Sequence, residues 1–271
     1  STDSGNTWSV DTRLTFDTSS SQYPAIAVMG QTVHIAWYDK RDGNEEEYYK
    51  RSTDGGLTWS ADTRLTNNTY IQEQPSISVS GQNVYVVWQD PSSGPNKVGF
   101  KRSTNGGANW LPDTLLTNRF GGTYSPCISA SGQNLTIVWE DHNTFWSEIY
   151  CILSSNGGLS WSSEIQLSNN NSFSGYPYVY VDGQNIHVTW WDTNYVAPGW
   201  SDIFYKFSTD NGVSWSTDLN LSNNPGSSEV GTIAISGSVV HVVWCDKRDG
   251  NWEMYYKRNP TGNLTEVHNI N

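Results

Sequence analysis

At 271 residues, with 15 Lys and Arg against 27 Asp and Glu, the chain carries a formal net charge of −12. That balance excludes nucleic acid and anionic membrane surfaces as partners, and no apolar run is long enough for membrane insertion. Only 15% of residues are charged while 14 Trp and 15 Tyr are present, the composition expected of an extracellular or cell-surface all-β chain.

The chain opens on Ser-Thr-Asp-Ser-Gly-Asn-Thr-Trp at 1–8, and this octapeptide returns as STDGGLTW at 52–59, STNGGANW at 103–110, SSNGGLSW at 154–161 and STDNGVSW at 208–215. The first residues are Ser1, Ser52, Ser103, Ser154 and Ser208, so the spacings are 51, 51, 51 and 54 residues. Self-similarity at a near-constant period marks a repeat architecture. The first box runs into an outer strand, Thr7–Thr15. A complete unit follows: a strand Tyr23–Val28 opened by Pro24, a turn at Gly30-Gln31, and a second strand ending at Trp37 with period-two patterning. A polar loop Asp39–Asn44 leads to a third strand around Glu47–Arg51, then the box and a fourth strand Thr58–Thr66. Pro75, Pro126 and Pro177 open the next inner strands, where proline as first residue loses no ladder donor; the fifth repeat has Gly231 instead.

Second strands end at Trp37, Trp88, Trp139, Trp190 and Trp244. Four antiparallel strands per unit, repeated radially, predict an all-β, five-bladed β-propeller forming a single domain. The blades fall at about 18–66, 67–117, 118–168, 169–222 and 223–271, with 1–17 closing the ring. Two segments compete for the last outer strand: the N-terminal one, and Leu264–Ile270 after the decayed box Asn259–Asn263. The absence of sheet edges in a closed ring favours the first. A monomer is expected.

Within each box an Asp or Asn (Asp3, Asp54, Asn105, Asn156, Asp210) is placed to bond nearby backbone amides. The Gly two residues on supplies a positive φ, and the closing Trp buries a large ring. This pattern, S-x-D-x-G-x-[ST]-W, resembles the Asp-box of sialidases and many other secreted β-propellers, over nearly the whole chain. The resemblance implies that the boxes are structural hairpins between the two outer strands of a blade, on the side away from the active site.

The opposite face then consists of two loop sets. Asp39–Asn44, Asp90–Asn96, Asp141–Ser147, Asp192–Ser201 and Asp246–Asn251 join second to third strands, while Phe16–Gln22, Asn67–Gln74, Asn118–Ser125, Asn169–Gly175 and Asn223–Glu229 join units. Variable loops on a repeated scaffold carry specificity. The fourth repeat is three residues longer, and its loop holds Tyr195 and Trp200; the adjacent loop adds Phe145 and Trp146. Rings beside fixed polar groups suit sugars, so a glycan site is expected there with Asp141, Asp192 and Glu148 as polar partners. The Asp that recurs after each second-strand Trp (Asp39, Asp90, Asp141, Asp192, Asp246) is expected to cap its loop, with a ring of carboxylates holding a structural cation such as calcium as the alternative; no other cofactor is implied.

Sialidases clamp a substrate carboxylate with three arginines, the first in an Arg-Ile-Pro motif. Here the inner strands read YPAIAV, QPSISV, SPCISA, YPYVYV and VGTIAI, and only Arg41, Arg119 and Arg248 reach the expected face. Those segments also lack acids; Glu73 and Glu229, just before two of them, are the nearest catalytic candidates. The reading is therefore glycan recognition without catalysis, with a sialidase-like or other exo-glycosidase as the alternative and an adhesion scaffold as the third. Cys127, Cys151 and Cys245 have neither disulfide nor metal-site spacing and are expected as buried small apolar residues.

Overall fold

In the computed structural model, residues 5–118, 120–142, 145–170, 172–193 and 200–259 are described. Five antiparallel sheets follow one another along the chain, and no helix occurs among those residues. The first holds β1 (Ser21–Met29), β2 (Thr32–Asp39), β3 (Glu46–Ser52) and β4 (Thr63–Arg64), and the second β5 (Glu73–Ser80), β6 (Asn83–Asp90), β7 (Lys97–Ser103) and β8 (Thr114–Leu115). The third is β9 (Thr123–Ser131), β10 (Asn134–Asp141), β11 (Glu148–Ser154) and β12 (Ile165–Gln166), and the fourth β13 (Ser174–Asp182), β14 (Asn185–Thr193), β15 (Ser201–Ser208) and β16 (Leu219–Asn220). The fifth has three strands among the described residues: β17 (Ser228–Ser236), β18 (Val239–Asp246) and β19 (Glu253–Arg258).

Three details differ from the sequence expectation. The outer strands are two-residue ladders rather than the long strand Thr58–Thr66, because the box takes its bonds from its own side chains. No strand is formed by the described part of Thr7–Thr15; Leu264–Ile270 lies outside the described residues. Third, each inner strand starts two or three residues earlier than Pro24, Pro75, Pro126 and Pro177, which sit inside the strand at a bulge. Proline tolerates that position because a bulge leaves one residue out of the ladder. The residue before that proline, or before Gly231 in the fifth sheet, takes a positive φ in all five sheets: Tyr23 (52°), Gln74 (55°), Ser125 (49°), Tyr176 (48°) and Val230 (54°). Non-glycine residues occupy that region rarely.

The boxes fold as expected. Asp54 Oδ1 accepts the Thr58 amide at 2.9 Å and Ser52 Oγ accepts the Gly56 amide at 2.8 Å, with Gly56 at φ 91°. Asn105, Asn156 and Asp210 repeat the bond to the amide four residues on, at 2.9, 3.0 and 2.9 Å; Asp3 lies outside the described residues. Each box also bonds a first hairpin, as in Gly55 N–H to Gln31 O and Gly106 N–H to Gln82 O. At the other end the two loop sets bond each other, as in Gln72 N–H to Glu45 O and His142 N–H to Gly122 O. Boxes and variable loops therefore occupy opposite faces.

The core lies between sheets rather than within them. Ala36, Tyr49 and Leu65 of the first pack on Ile77, Val79 and Trp88 of the second, and three further clusters join second to third, third to fourth and fourth to fifth. No such cluster joins the fifth sheet to the first among the described residues. Ile26 on β1 is 66% exposed where its counterpart Ile77 is 7% exposed. Cys127 and Cys151 are buried as expected, but Cys245 is half-exposed beside Met254, on a side of the fifth sheet that no cluster of the described residues covers.

Candidate functional site

The face opposite the boxes gathers the unusual chemistry of the molecule. The repeats act as an internal alignment, in which a residue that recurs in every sheet serves the scaffold and one that does not is free for another task.

The recurring aspartates are scaffold. Asp39 accepts from Trp37 Nε1 at 3.0 Å, from the Arg41 amide and from Ser21, and Asp246 repeats the set with Trp244, Arg248 and Ser228. These donors hold Asp39 down at about 2 against the desolvation that opposes them. Asp192, expected as a ligand partner, is buried and accepts from Ser174 and Asn170; Asp141 is buried as well. Glu148 is buried on Ser168, as Asp202 is on Ser222 one sheet later, so its position serves the same loop bond twice. No group of three or more His, Cys, Asp or Glu placed to hold a metal occurs among the described residues.

Of the expected arginines, Arg41 is committed to Asp39 and to Asp62 at 2.6 Å, with its guanidinium over the Tyr48 ring. Arg248 is committed to Asp246 and lies over Tyr255. Arg119 and Tyr195 lie outside the described residues. Phe145 is 83% exposed and meets Trp146 edge-on at 4.7 Å, while Trp146 meets Phe173 at 4.9 Å. Trp200 is exposed too.

The acids form a different picture from the one expected. Because β5 and β17 start earlier than anticipated, Glu73 and Glu229 are inner-strand residues after all. Glu229 is exposed. Glu73 lies beside Glu45, whose Oε1 is 2.6 Å from Lys40 Nζ. Burial raises the Glu73 carboxyl, and the neighbouring Glu45 raises it further, with Lys40 pulling the other way. Tyr38 lies against the same group, stacked on Tyr23 at 5.5 Å. Beneath it Glu47 is fully buried with neither carboxyl oxygen bonded, and desolvation pushes it well above the usual carboxylate range. Glu47 stands where the other sheets carry Val98, Ile149, Ile203 and Met254.

A second group lies two sheets on. Glu140, on β10, occupies the position of Tyr38, Gln89, Trp191 and Cys245. Its Oε1 is 2.5 Å from His142 Nε2, and its Oε2 faces the Tyr176 amide at 3.4 Å. Tyr124 packs on the His142 ring at 4.5 Å, and Tyr176 lies 6.4 Å from Trp191. Sequence reasoning passed over Glu45, Glu47, Glu140 and His142. Aligning the five repeats position by position would have exposed them as acids and an imidazole with no counterpart elsewhere.

The BNR/Asp-box repeat family model matches residues 50–61. A xyloglucanase from a Paenibacillus species is 26% identical over 204 residues, 71% of this chain and 18% of that protein, so the chain spans under a fifth of that relative's length. Among solved structures, a Penicillium chrysogenum alpha-L-arabinanase complexed with arabinobiose superposes with a TM-score of 0.58 at 14% identity, over 86% of this chain and 80% of the other. The phage phi92 endosialidase gives 0.63 at 11% identity, over 91% and 56%. These likenesses establish a propeller-type fold. The relatives carry names of glycan-cleaving enzymes, which overturns the expectation of glycan recognition without catalysis and favours its alternative, a glycosidase.

Proposed function

We propose that this Asp-box repeat β-propeller is a glycoside hydrolase with Glu73 as its acid and its five sheets as five blades. The observation that carries the proposal is the pair of neighbouring carboxyls, Glu45 and Glu73, at the variable-loop face, with burial and the Glu45 charge raising Glu73. A glycosidic oxygen is a poor leaving group until protonated, so hydrolysis needs a carboxyl that keeps its proton near neutral pH. Two close carboxyls cannot both ionise cheaply, and the pair therefore holds a proton on or beside Glu73. Lys40 Nζ is paired with Glu45 Oε1 at 2.6 Å, and the proton is assigned to Glu73, whose carboxyl is raised by burial. Glu45 is a positioning residue in this scheme. Phe145, Trp146 and Trp200, with Phe173, supply the ring faces on which sugar units of a glycan stack.

The test is a panel of aryl glycosides, including an arabinofuranoside, a glucoside and a sialoside, with wild type and Glu73→Gln. We expect Glu73→Gln to lose roughly 10²–10⁴-fold in kcat. The loss should be smaller for a dinitrophenyl leaving group, which needs no proton, than for a methyl glycoside. A wild-type protein inert on every glycoside ends the proposal.

A further inference from the structure

We propose that Glu140 is the second carboxylate of this hydrolase, the general base that takes a proton from the attacking water, and that His142 is its positioning residue. This inference rests on the hydrolase reading above, but on different residues.

Its first support is uniqueness. At five equivalent places on the second strands the chain has Tyr38, Gln89, Glu140, Trp191 and Cys245, so the fold does not need an acid there. The second is a built environment. A Cβ on Gly175 would lie 2.8 Å from Glu140 Oε2 and 2.9 Å from the Trp191 ring, so glycine is what lets the carboxylate reach the β13 backbone. Oε1 is held by His142, whose ring is in turn braced by Tyr124.

Location is the third. β9 packs between β5 and β13, and the Ser125 amide donates to Gln74 Oε1 at 3.1 Å. Both carboxyls thus stand at the variable-loop ends of the inner strands, Glu73 facing Glu45 of the first sheet and Glu140 facing Gly175 of the fourth, with β9 between β5 and β13. In the proposed complex a sugar and a water lie between the two carboxyls, as hydrolysis requires. Exposed Tyr176, whose amide faces Glu140 Oε2, lies beside Trp191 and places a ring next to that carboxylate.

With Oε1 on His142 and Oε2 over an amide, Glu140 is better placed to accept a proton than to bond carbon. In the step, a water O–H gives its proton to Glu140 while its oxygen bonds the anomeric carbon. The glycosidic C–O bond breaks, its electron pair stays on the leaving oxygen, and that oxygen takes the proton of Glu73. Glu140 ends protonated and Glu73 ionised, and one proton exchanged through solvent restores both. The product carries inverted configuration.

The experiment uses the full chain and whichever aryl glycoside wild type cleaves. Glu140→Gln should lower kcat by roughly 10²–10⁴-fold with KM within a few-fold. Glu140→Gly should regain activity with added formate, which a merely structural role would not allow. His142→Asn should lower kcat several-fold at unchanged KM. Proton NMR of the first-formed sugar should give the inverted anomer. If wild type is active and Glu73→Gln is dead while Glu140→Gln cleaves normally, or if the retained anomer forms, this inference falls and the hydrolase reading stands. If formate fails to restore Glu140→Gly, the base role is likewise overturned. An inert wild type removes both.

Discussion

The segments EEEYYKRS at 45–52 and WEMYYKRN at 252–259 are near-twins, yet they live in different surroundings. Tyr49 is 1% exposed and its edge meets Trp110 at 4.9 Å, whereas Tyr256 is 56% exposed. Both tyrosines keep the same local bond, Oη to a histidine Nδ1 at 2.7 Å, on His34 and His241. Strand, cross-strand pair and side-chain geometry are thus written locally, while burial is conferred by the next sheet. In a radial array the unit of stability is the boundary between two repeats rather than the repeat itself.

The sharpest way to break that comparison is truncation. Tyr49→Ala should cost about 3–5 kcal/mol because a buried ring leaves a cavity between two sheets, whereas Tyr256→Ala should cost below about 1 kcal/mol. Urea unfolding of the two variants measures both, and equal losses would mean that Tyr256 is covered in solution. Glycines give the next contrast. A Cβ on Gly107 would run into Tyr49 Oη, but one on Gly56 finds nothing nearer than Trp59 at 3.8 Å. Gly107→Ala should therefore cost at least about 3 kcal/mol, against about 1–2 kcal/mol for Gly56→Ala, where only the positive φ is penalised. Thermal melts in which both variants match would sink that ranking.

Glu47 and Met254 form the mildest pair, a buried acid on one twin and an apolar residue on the other. The folded Glu47 pKa lies above its unfolded value, so the folded state binds the extra proton. Its contribution is most favourable below the unfolded value near 4.3 and is lost as pH rises above it. Glu47→Val should stabilise the protein at pH 7 by about 1–2 kcal/mol. The gain should shrink toward pH 4, and denaturation midpoints at the two pH values decide it.

Much of the architecture was legible because it is repeated. Five boxes and five second-strand tryptophans set the order of strands, and the box chemistry of Asp54 or Asp210 depends only on residues within four positions. The bulges were not legible. Proline restricts the residue before it and normally pushes it to extended backbone, so nothing local announced that Gln74 or Tyr176 would turn left-handed. The same error misplaced two candidate acids, since strands drawn from the proline onward left Glu73 and Glu229 outside the inner strands to which they belong. Asp192 and Glu148 misled because an exposed-looking acid in a polar loop reads alike whether it meets solvent or a neighbouring serine. The exposed flank of β1 could not be read from its sequence either, because Ile26 and Ile77 belong to equivalent apolar patterns.

The bulge before each inner-strand proline separates two kinds of inheritance. Residues that follow it must satisfy a ladder and a neighbouring sheet, and they stay nearly alike: Ala-Ile-Ala-Val, Ser-Ile-Ser-Val, Cys-Ile-Ser-Ala. The left-handed residue owes the ladder nothing, and at that place the chain has Tyr23, Gln74, Ser125, Tyr176 and Val230. Duplication could multiply the scaffold while leaving one address per copy open to rewriting. A library randomised at those five addresses would alter the chemistry of the face while sparing the apolar clusters between sheets, to which none of the five belongs.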